Sequence, residues 1–465
     1  MPKHRKLLGA LLAALLTALA IPGVSSGQPG GDDIAVDKSV ANRHLVREWS
    51  KDSTIYEVNV RQYTKAGTFE AFAEHLPRLR ELGVEILWFM PIYPIGEERR
   101  KGTLGSYYSI RDYTAVNPEY GTMADFKKLV RQAHDMGFKV LLDFVPNHTA
   151  FDHGWTEEHP DWYLQNDDGE IVHPPGTDWT DVAQLDWDNR DMRAALIDAM
   201  RFWVREADID GYRVDYVSGV PDDFSRAARR ALDRIKPVYL LAENEDKTHL
   251  LRNDYHANYG WSLFHTMTEV AAGKKGADDV RKYLEWVQDV YPEGSYPMQF
   301  TTNHDENSWN GTTDELFGAA ERTMAVLTFT VLGMPLIYSG QEAGLDKRLE
   351  FFEKDEISWD DLSEQRFYER LVDLKRQNRA FWSGADGGAV DFLPATDGDT
   401  LAFQREKDGS RVVVVMNLSD DAASTTVSAG SAAGVYEDYF AGENVVLKPE
   451  HTFDLAPWEY RVFVR

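Results

Sequence analysis

Short apolar runs alternate along the chain with longer stretches whose apolar residues recur every three or four positions. The long stretches predict amphipathic helices at 68–83, 123–137 and 189–208. The short runs are rich in β-branched and aromatic residues and predict strands, with a weak one between 255 and 264. The clear strand segments are 53–60, 84–90, 139–145, 210–215, 238–243, 298–302 and 334–340.

Strands that are apolar on both faces and separated by helices indicate a parallel sheet, either doubly wound or closed into a barrel. Four of the runs end in polar clusters: DFVPNH (143–148), GYRVD (211–215), LLAENE (240–245) and TTNHDE (301–306). A barrel places its active groups at the C-terminal ends of several strands. No glycine-rich fingerprint follows the first strand, which disfavours a dinucleotide-binding sheet. We therefore expect an α/β fold, a (β/α)8 TIM barrel over 51–386.

Two regions depart from this alternation. An irregular stretch rich in Trp, His, Pro and Asp follows strand three and is too long for an ordinary connection. It predicts an inserted lid subdomain at 149–188. Beyond residue 386 the pattern alternates with period two over several short runs, which predicts a separate C-terminal β-sandwich at 387–465.

The N-terminus has basic residues, an apolar stretch from 7 to 21 and small residues up to 27. This order predicts a secretory signal peptide at 1–27, followed by a leader at 28–50. The apolar run is shorter than the ~20 residues of a membrane span, so we expect a secreted, soluble protein, extracellular or periplasmic. The chain has 0 cysteines, which excludes disulfides and thiolate metal sites.

Composition narrows the possible partners. The 465 residues are 43% hydrophobic, enough for a large core, and 77 acidic against 50 basic residues give a formal charge of -27. Such a charge repels nucleic acid and anionic membranes, so neither is expected as a partner. Acidity also keeps proteins soluble in concentrated salt, which predicts a saline habitat; the alternative is an ordinary acidic secreted protein.

Two strand ends carry a pair of carboxyl groups with different expected protonation. Arg213 and Asp215 lie two apart on one strand and point to the same face, where the guanidinium favours an ionised, nucleophilic Asp215. Glu243 ends the next, apolar strand, so burial and the nearby charge of Asp215 should raise its pKa and make it a general acid. Retaining glycosidases use this arrangement, with the two carboxyls about 5 to 5.5 Å apart.

Further polar residues fit the same interpretation. Asp305 would stabilise a positively charged transition state, and His148 and His304 would bond the same sugar. Each residue also has a structural alternative: Arg213 and Asp215 could be a simple ion pair, and His148 a loop cap. Four polar clusters at one predicted barrel mouth favour an active site.

The four clusters, in this order, resemble the signature regions of the alpha-amylase family of glycoside hydrolases, family thirteen. The segments SYYSIRDYTAVNPEYGT and GMPLIYSGQEAG are also similar to that family, so the resemblance covers nearly everything from Ser53 to the β domain. It implies that Asp215 is the nucleophile, Glu243 the acid/base and Asp305 the transition-state stabiliser. It also implies that Asp143 orients Arg213 and that Tyr108 stacks on the sugar. The substrate-binding residues that it implies are Tyr108, Asp143, His148, Arg213 and His304.

The chain departs from the family pattern near both catalytic carboxyls. Many members have Lys and His where this chain has Ser218 and Gly219, and often Trp where it has Asn244. These changes leave open the chain-length preference and endo or exo action. The resemblance also implies a structural calcium site at Asn147, with carboxylates of the insert; a calcium-free enzyme is equally compatible. The insert carboxylates that could contribute are Asp178, Asp181 and Asp186.

Together these observations predict a secreted, retaining hydrolase of α-1,4-glucosidic bonds in starch or maltodextrins, needing no cofactor for its chemistry. The alternatives are a maltodextrin-active transglycosylase or α-glucosidase and, from a different class, a non-catalytic glucan-binding relative. The presence of all three carboxyls disfavours the last, because a protein that only binds glucan does not need them.

Overall fold

The computed structural model describes residues 38–465; the predicted signal peptide and the first part of the predicted leader lie outside the described residues. The strands, in chain order, are β1 (Ile55–Val58), β2 (Ile86–Phe89), β3 (Lys139–Phe144), β4 (His148–Ala150), β5 (Val182–Gln184), β6 (Gly211–Val214), β7 (Tyr239–Ala242), β8 (Ala257–Tyr259), β9 (Tyr296–Gln299), β10 (Met334–Tyr338), β11 (Asp391–Phe392), β12 (Thr400–Lys407), β13 (Ser410–Asn417), β14 (Ala423–Ser428), β15 (Gly434–Asp438), β16 (Glu443–Leu447), β17 (Glu450–Leu455) and β18 (Tyr460–Val464).

Eight strands close into a parallel barrel in the order β1-β2-β3-β6-β7-β8-β9-β10, with β10 pairing back to β1. This confirms the predicted (β/α)8 barrel, and β8 is the strand that the sequence marked only weakly. In register, Asp143 lies beside Arg213, and Arg213 beside Leu241. Neighbouring parallel strands therefore deliver the predicted site residues to one end of the barrel.

The helices surround the barrel and connect its strands. The predicted helix at 68–83 is two helices, because Pro77 has no N–H to donate to Ala73. The helices, in chain order, are α1 (Lys38–Ser50), α2 (Val60–Tyr63), α3 (Phe69–Ala73), α4 (Leu76–Leu82), α5 (Met123–Asp135), α6 (Gly154–Glu158), α7 (Arg190–Glu206), α8 (Asp222–Asp233), α9 (Trp261–Ala271), α10 (Ala277–Val290), α11 (Thr313–Phe317), α12 (Glu321–Thr330) and α13 (Gln365–Gln377).

Helix α1 lies within the predicted leader, where the hydrophobic pattern gave no helix signal. It is attached to the barrel by polar contacts rather than by a broad apolar face. Arg43 donates to the carbonyls of Tyr255 and Leu251 at 2.8 and 3.1 Å, and Asn42 Nδ2 donates to Asp233 at 3.0 Å. Val46, on the face of the helix that meets the barrel, is fully buried.

The stretch after β3 forms a small subdomain above the barrel mouth. Its β4 and β5 pair antiparallel, with His148 opposite Gln184, and this pairing ties the far end of the insert back to the end of β3. Trp155 and Trp162 pack edge to face inside it, with ring centroids 5.0 Å apart. Helix α7 follows, capped by the Asn189 side chain.

The C-terminal domain is antiparallel and two-layered, which confirms the predicted sandwich. A six-stranded sheet in the order β11-β12-β13-β18-β15-β16 packs against the pair β14 and β17 through an apolar core that includes Val413, Val427 and Phe463. Strand β17 was not predicted. Its apolar positions Phe453 and Leu455 alternate with polar ones but are too few to stand out.

One buried arginine joins this domain to the barrel. Arg405 on β12 is 0% exposed and donates to the carbonyls of Thr330, Val331 and Gly388. These bonds fix the sandwich against the loop before β10. No helix in the described part of the chain has the length and apolar character needed to span a membrane.

Candidate active site

Arg213, on β6, lies at the floor of the site and touches three carboxyl groups. Its Nη1 donates to Asp143 Oδ1 at 3.0 Å and to Asp215 Oδ1 at 2.7 Å. Its Nη2 lies 2.7 Å from Glu243 Oε1, an ion pair without hydrogen-bond alignment. The strand ends of β3, β6 and β7 therefore converge on one fully buried guanidinium.

Glu243 carries the predicted perturbation. Burial, together with the negative charges of Asp215 and Asp305, outweighs Arg213 and raises the pKa of Glu243 to about 8. Its other oxygen, Oε2, accepts a hydrogen bond from the backbone N–H of Tyr216 at 2.7 Å. A carboxyl with this pKa is protonated at neutral pH and can act as an acid.

Asp143 lies behind the site rather than in it. The side chain is fully buried, accepts from Arg213 and from the Tyr108 hydroxyl at 3.1 Å, and so holds both in place. Burial is the main reason that the pKa of Asp143 is raised to about 7, against the opposing effect of Arg213. This geometry fits the orienting role that the family resemblance implies.

Asp305 and His304 follow β9 and face the same space. His304 Nε2 lies 2.7 Å from the Tyr108 hydroxyl and 3.3 Å from Asp305 Oδ2, and the His304 and Tyr108 rings stack with centroids 5.3 Å apart. Burial lowers the pKa of His304, but the carboxyls of Asp305 and Glu57 outweigh it and raise that pKa to about 9. His304 is therefore a cation at neutral pH.

Glu57 and Tyr259 are two supporting residues that the sequence reasoning missed. Glu57 is fully buried on β1, and its Oε1 lies 2.5 Å from His304 Nδ1. Tyr259 ends β8, and its hydroxyl accepts from Arg213 Nε at 3.0 Å. A charged residue inside the apolar strand IYEV was the available signal for Glu57; the weak eighth strand gave none for Tyr259.

His148, at the start of β4, completes the predicted set. It is 4% exposed, and burial lowers its pKa, so the ring is neutral. The Trp179 ring of the insert lies 5.8 Å away, edge to face. His148 therefore offers a neutral imidazole to a bound ligand.

A cavity of about 680 Å³ opens at the C-terminal end of the barrel, between the insert and the loop after β10. It is lined by six of the eight predicted site residues, while Asp143 and Arg213 lie beneath them. Several aromatic side chains also line it, as ligand sites for sugars require. The residues that line it include Tyr108, His148, Trp179, Asp215, Tyr216, Ser218, Glu243, His304, Asp305, Trp309 and Phe351.

The residues around Asn147 do not fit a calcium site. Its amide is hydrogen-bonded with the side chain of Gln184, donating at 3.2 Å and accepting at 3.3 Å. The ammonium of Lys101 lies 3.3 Å from Asp181 Oδ1 and donates to the Asp178 carbonyl at 2.7 Å. Within the described part of the chain, no group of three or more His, Cys, Asp or Glu side chains is placed to hold a metal ion.

This arrangement can supply a carboxylate and a protonated carboxyl to a single bond of a bound ligand. Asp215 and Glu243 contact different nitrogens of the same guanidinium, and Asp305 provides a third carboxyl that lines the same cavity. Because its pKa is raised, Glu243 keeps its proton at a pH where an ordinary carboxyl group has lost it. Acid and nucleophilic chemistry can thus operate together at neutral pH.

Comparison with known proteins agrees with this geometry. Residues 46–387 match the family model "Alpha amylase, catalytic domain", and residues 390–462 match "Maltogenic Amylase, C-terminal domain". The chain is 30% identical to "Alpha-amylase MalA" of Haloarcula japonica, over 89% of this chain and 63% of that protein's length. It therefore spans less than two thirds of that relative.

Solved structures give the same result. A maltogenic alpha-amylase from Thermotoga neapolitana superposes with a TM-score of 0.81 at 27% identity, covering 89% of this chain and 98% of the other. An alpha-amylase from Lactobacillus plantarum superposes with a TM-score of 0.78 at 29% identity, covering 89% and 99%. The chain belongs to the alpha-amylase family of glycoside hydrolases.

Proposed function

We propose that the protein hydrolyses α-1,4-glucosidic bonds in starch or maltodextrins, with retention of the anomeric configuration. The observation that carries this proposal is the contact of one guanidinium with both Asp215 and Glu243, of which Glu243 has a pKa raised to about 8. A retaining glycosidase needs this combination of a nucleophile and a proton donor.

In the first step of the proposed reaction, Asp215 attacks the anomeric carbon while Glu243 gives its proton to the leaving oxygen. The C–O bond to the leaving sugar breaks as the Asp215–carbon bond forms. In the second step the ionised Glu243 takes a proton from water, and the resulting hydroxide displaces Asp215. Every proton and electron pair is accounted for by these two carboxyls, so the proposal requires no cofactor.

Other side chains stabilise the positive charge that develops on the sugar in the transition state. Asp305 would stabilise the oxocarbenium-like transition state, and cationic His304 and neutral His148 would bond hydroxyls of the reacting sugar. The stacked Tyr108 ring would lie against the same sugar, held by its hydrogen bond to Asp143. These roles follow from the proposal that the glycosidic bond to be cleaved lies between Asp215 and Glu243.

We infer that the substrate is an extended glucan of the kind taken by maltogenic enzymes. The C-terminal domain matches the maltogenic amylase model, and relatives include a "Maltogenic alpha-amylase" at 25% and a "Cyclomaltodextrinase" at 27% identity. Phe351 stacks parallel to Tyr108, and Trp309 beside it is 51% exposed. Such an aromatic strip supports binding of several consecutive sugar rings.

Product profiling tests this function. Purified protein is incubated with soluble starch, maltoheptaose, cyclomaltodextrin, maltose, pullulan and trehalose, with and without an acceptor sugar, and the anomer released first is read by NMR. We expect α-anomeric maltose and short maltodextrins from the linear substrates. Release of the β-anomer would overturn retention, and preferential action on maltose or transfer to the acceptor would favour the α-glucosidase or transglycosylase alternative.

We further propose that the protein is exported and that residues 1–27 are removed. The arrangement of basic, apolar and small residues supports this. Expression in a secreting host, followed by N-terminal sequencing of the protein in the medium, tests it. Retention of the full-length chain inside the cells would contradict it.

A further inference from the structure

Tyr216, the residue after the proposed nucleophile, has an unusual backbone conformation for a bulky side chain. Its φ of 45° and ψ of 48° lie in the left-handed region, which side chains with a Cβ rarely adopt. Two backbone bonds hold this turn: Tyr216 N–H donates to Glu243 Oε2 at 2.7 Å, and Val217 N–H to the Glu243 carbonyl at 3.1 Å. Strain of this kind, kept beside a catalytic group, points to a functional position for the side chain.

Gly219 makes room for the Tyr216 ring. A Cβ on Gly219 would lie 2.5 Å from Tyr216 Cε1 and 2.8 Å from its Cδ1, closer than any real contact. The backbone at Gly219 is not in the left-handed region, so conformation does not require a glycine there. The glycine is needed for space. Ser218, the other departure near the nucleophile, donates to Asp246 Oδ1 at 2.9 Å.

Trp179 of the insert positions the ring from the other side. The two ring centroids are 5.4 Å apart at an interplanar angle of 81°, an edge-to-face contact. Trp179 is itself packed against His148. Tyr216 nevertheless remains 38% exposed and lines the cavity, so part of its ring is available to a ligand.

The position of Glu243 shows which part of the substrate this ring would meet. A general acid lies beside the oxygen that leaves, and the Tyr216 backbone contacts the Glu243 carboxyl directly. Tyr216 packs against Trp179 and not against the stacked Tyr108 and His304 rings, which are proposed to hold the reacting sugar. The Tyr216 ring therefore faces the side of the cavity that takes the leaving sugar.

We propose that Tyr216 is the stacking surface for the leaving glucose unit, and for an acceptor sugar entering by the same route, with Gly219 providing the space that its ring occupies. This inference rests on the proposed α-glucan hydrolysis. The apolar C–H face of a glucose ring packs well on an aromatic side chain. A sugar held there is fixed with its oxygen beside Glu243, which favours departure, and a second sugar held there competes with water for the glycosyl enzyme.

The test compares a leaving group that is a sugar with one that is not. We measure kcat/KM for maltoheptaose and for α-maltosyl fluoride, whose fluoride leaves the proposed stacking surface empty. Tyr216→Ala should lower kcat/KM for maltoheptaose by roughly tenfold to a hundredfold and leave the fluoride value within about twofold. Tyr216→Phe, which keeps the ring, should behave as wild type with both substrates.

Two further measurements sharpen the result. Gly219→Ala should displace the ring and reproduce the selective loss on maltoheptaose, and Tyr216→Ala should raise the maltose concentration that half-saturates transfer from the fluoride. Equal loss on both substrates would overturn the proposal, since Tyr216 would then act only by positioning the carboxyls. Unchanged maltoheptaose hydrolysis would overturn it as well. A wild-type protein inactive on both substrates would instead refute the proposed function.

Discussion

At the scale of single residues, the charges around Arg213 do not balance. One guanidinium contacts the carboxyls of Asp143, Asp215 and Glu243, so full ionisation would leave two unneutralised negative charges in a buried site. Desolvation makes this costly, and protons are retained instead. The raised pKa values, about 7 at Asp143 and about 8 at Glu243, express this deficit. The acid is thus created by burial first, and then by the negative charges of neighbouring carboxyls that Arg213 does not offset.

Replacing the nucleophile should stop the reaction without disturbing the fold. Asp215→Asn keeps the size of the side chain but cannot form a glycosyl ester, so we expect turnover of starch to fall by at least roughly 10⁴-fold. The melting temperature, measured by circular dichroism, should stay close to that of wild type. Activity within tenfold of wild type, with an unchanged melting transition, would exclude Asp215 as the nucleophile.

Replacing the acid should depend on the leaving group. An alkoxide needs the proton of Glu243 and a fluoride barely does, so Glu243→Gln should lower starch hydrolysis by about 10²- to 10⁴-fold yet still react with α-maltosyl fluoride through Asp215. The glycosyl enzyme should then accumulate, because Glu243 is also the base for water, and azide should restore its turnover by needing no base.

Asp215→Asn is the matched control for this experiment. It should show neither the fluoride reaction nor rescue by azide, because no glycosyl enzyme forms. If Glu243→Gln lost both substrates equally and azide had no effect, the acid/base role would belong to another residue.

The pH profile follows from the same carboxyl. Glu243 must be protonated to act as the acid, and its pKa is raised to about 8, so kcat/KM for maltoheptaose should fall as pH rises through that value. The midpoint is a property of the coupled cluster, in which His304 loses its proton near 9. With α-maltosyl fluoride the decline should be much weaker. An equally steep decline with the fluoride would assign it to another group, such as His304.

At the scale of elements, the barrel was predictable because parallel strands buried on both faces have a strong apolar signature. The four polar strand ends identified the mouth, and the structure brings all eight predicted site residues to that region. Contacts between single residues on strands that are not hydrogen-bonded neighbours were not predictable. Tyr259 on β8 contacts Arg213 on β6 past the intervening β7, and Glu57 on β1 meets His304 after β9 because the sheet closes through β10.

Other elements escaped prediction because their signals are local and weak. Helix α1 is held by side-chain bonds to barrel carbonyls, and such contacts leave no periodic apolar pattern. Strand β17 has few apolar positions because one of its faces is exposed. The ring of Tyr216 occupies the space that Gly219 leaves free. Neither residue type by itself indicates this contact in the sequence.

The insert offers a prediction at this scale. Lys101 bonds Asp181 and the Asp178 carbonyl, and so joins the loop after β2 to the insert where the family resemblance implied calcium. Lys101→Met should destabilise the insert by about 1 kcal/mol or less, since the pair is partly exposed, and speed proteolytic cleavage within 149–188. EDTA should leave the melting temperature of the wild-type protein unchanged.

The control for this prediction is Lys127→Met. It removes a similar contact, to Glu206 at 2.8 Å, on the helical surface away from the insert, and should not change cleavage there. A melting temperature that fell with EDTA and recovered with calcium would show that a cation stabilises the fold in addition to Lys101.

At the scale of the whole molecule, two features act on all parts of the chain at once. The apolar core of the barrel continues into the sandwich, where it includes Phe403 and Val412, and buried Arg405 bonds across the same boundary, so heat should unfold the two together. The formal charge of -27 opposes that compact state through repulsion between exposed carboxylates. Examples of such exposed carboxylates, in loops of the insert, the barrel and the sandwich, are Asp167, Asp361 and Asp420.

Salt should therefore stabilise the fold. The distance over which charges interact shortens from about 10 Å at 0.1 M to about 3 Å at 1 M, so sodium chloride weakens the repulsion while buried pairs such as Arg213–Asp143 are little affected. We expect the melting temperature to rise over the first molar. The triple variant Asp167→Asn, Asp361→Asn, Asp420→Asn should melt higher than wild type at low salt and gain less from added salt. A melting temperature that stays flat or falls with sodium chloride, or a variant with the same salt dependence as wild type, would show that net charge does not limit stability and would leave the acidity without a link to a saline habitat.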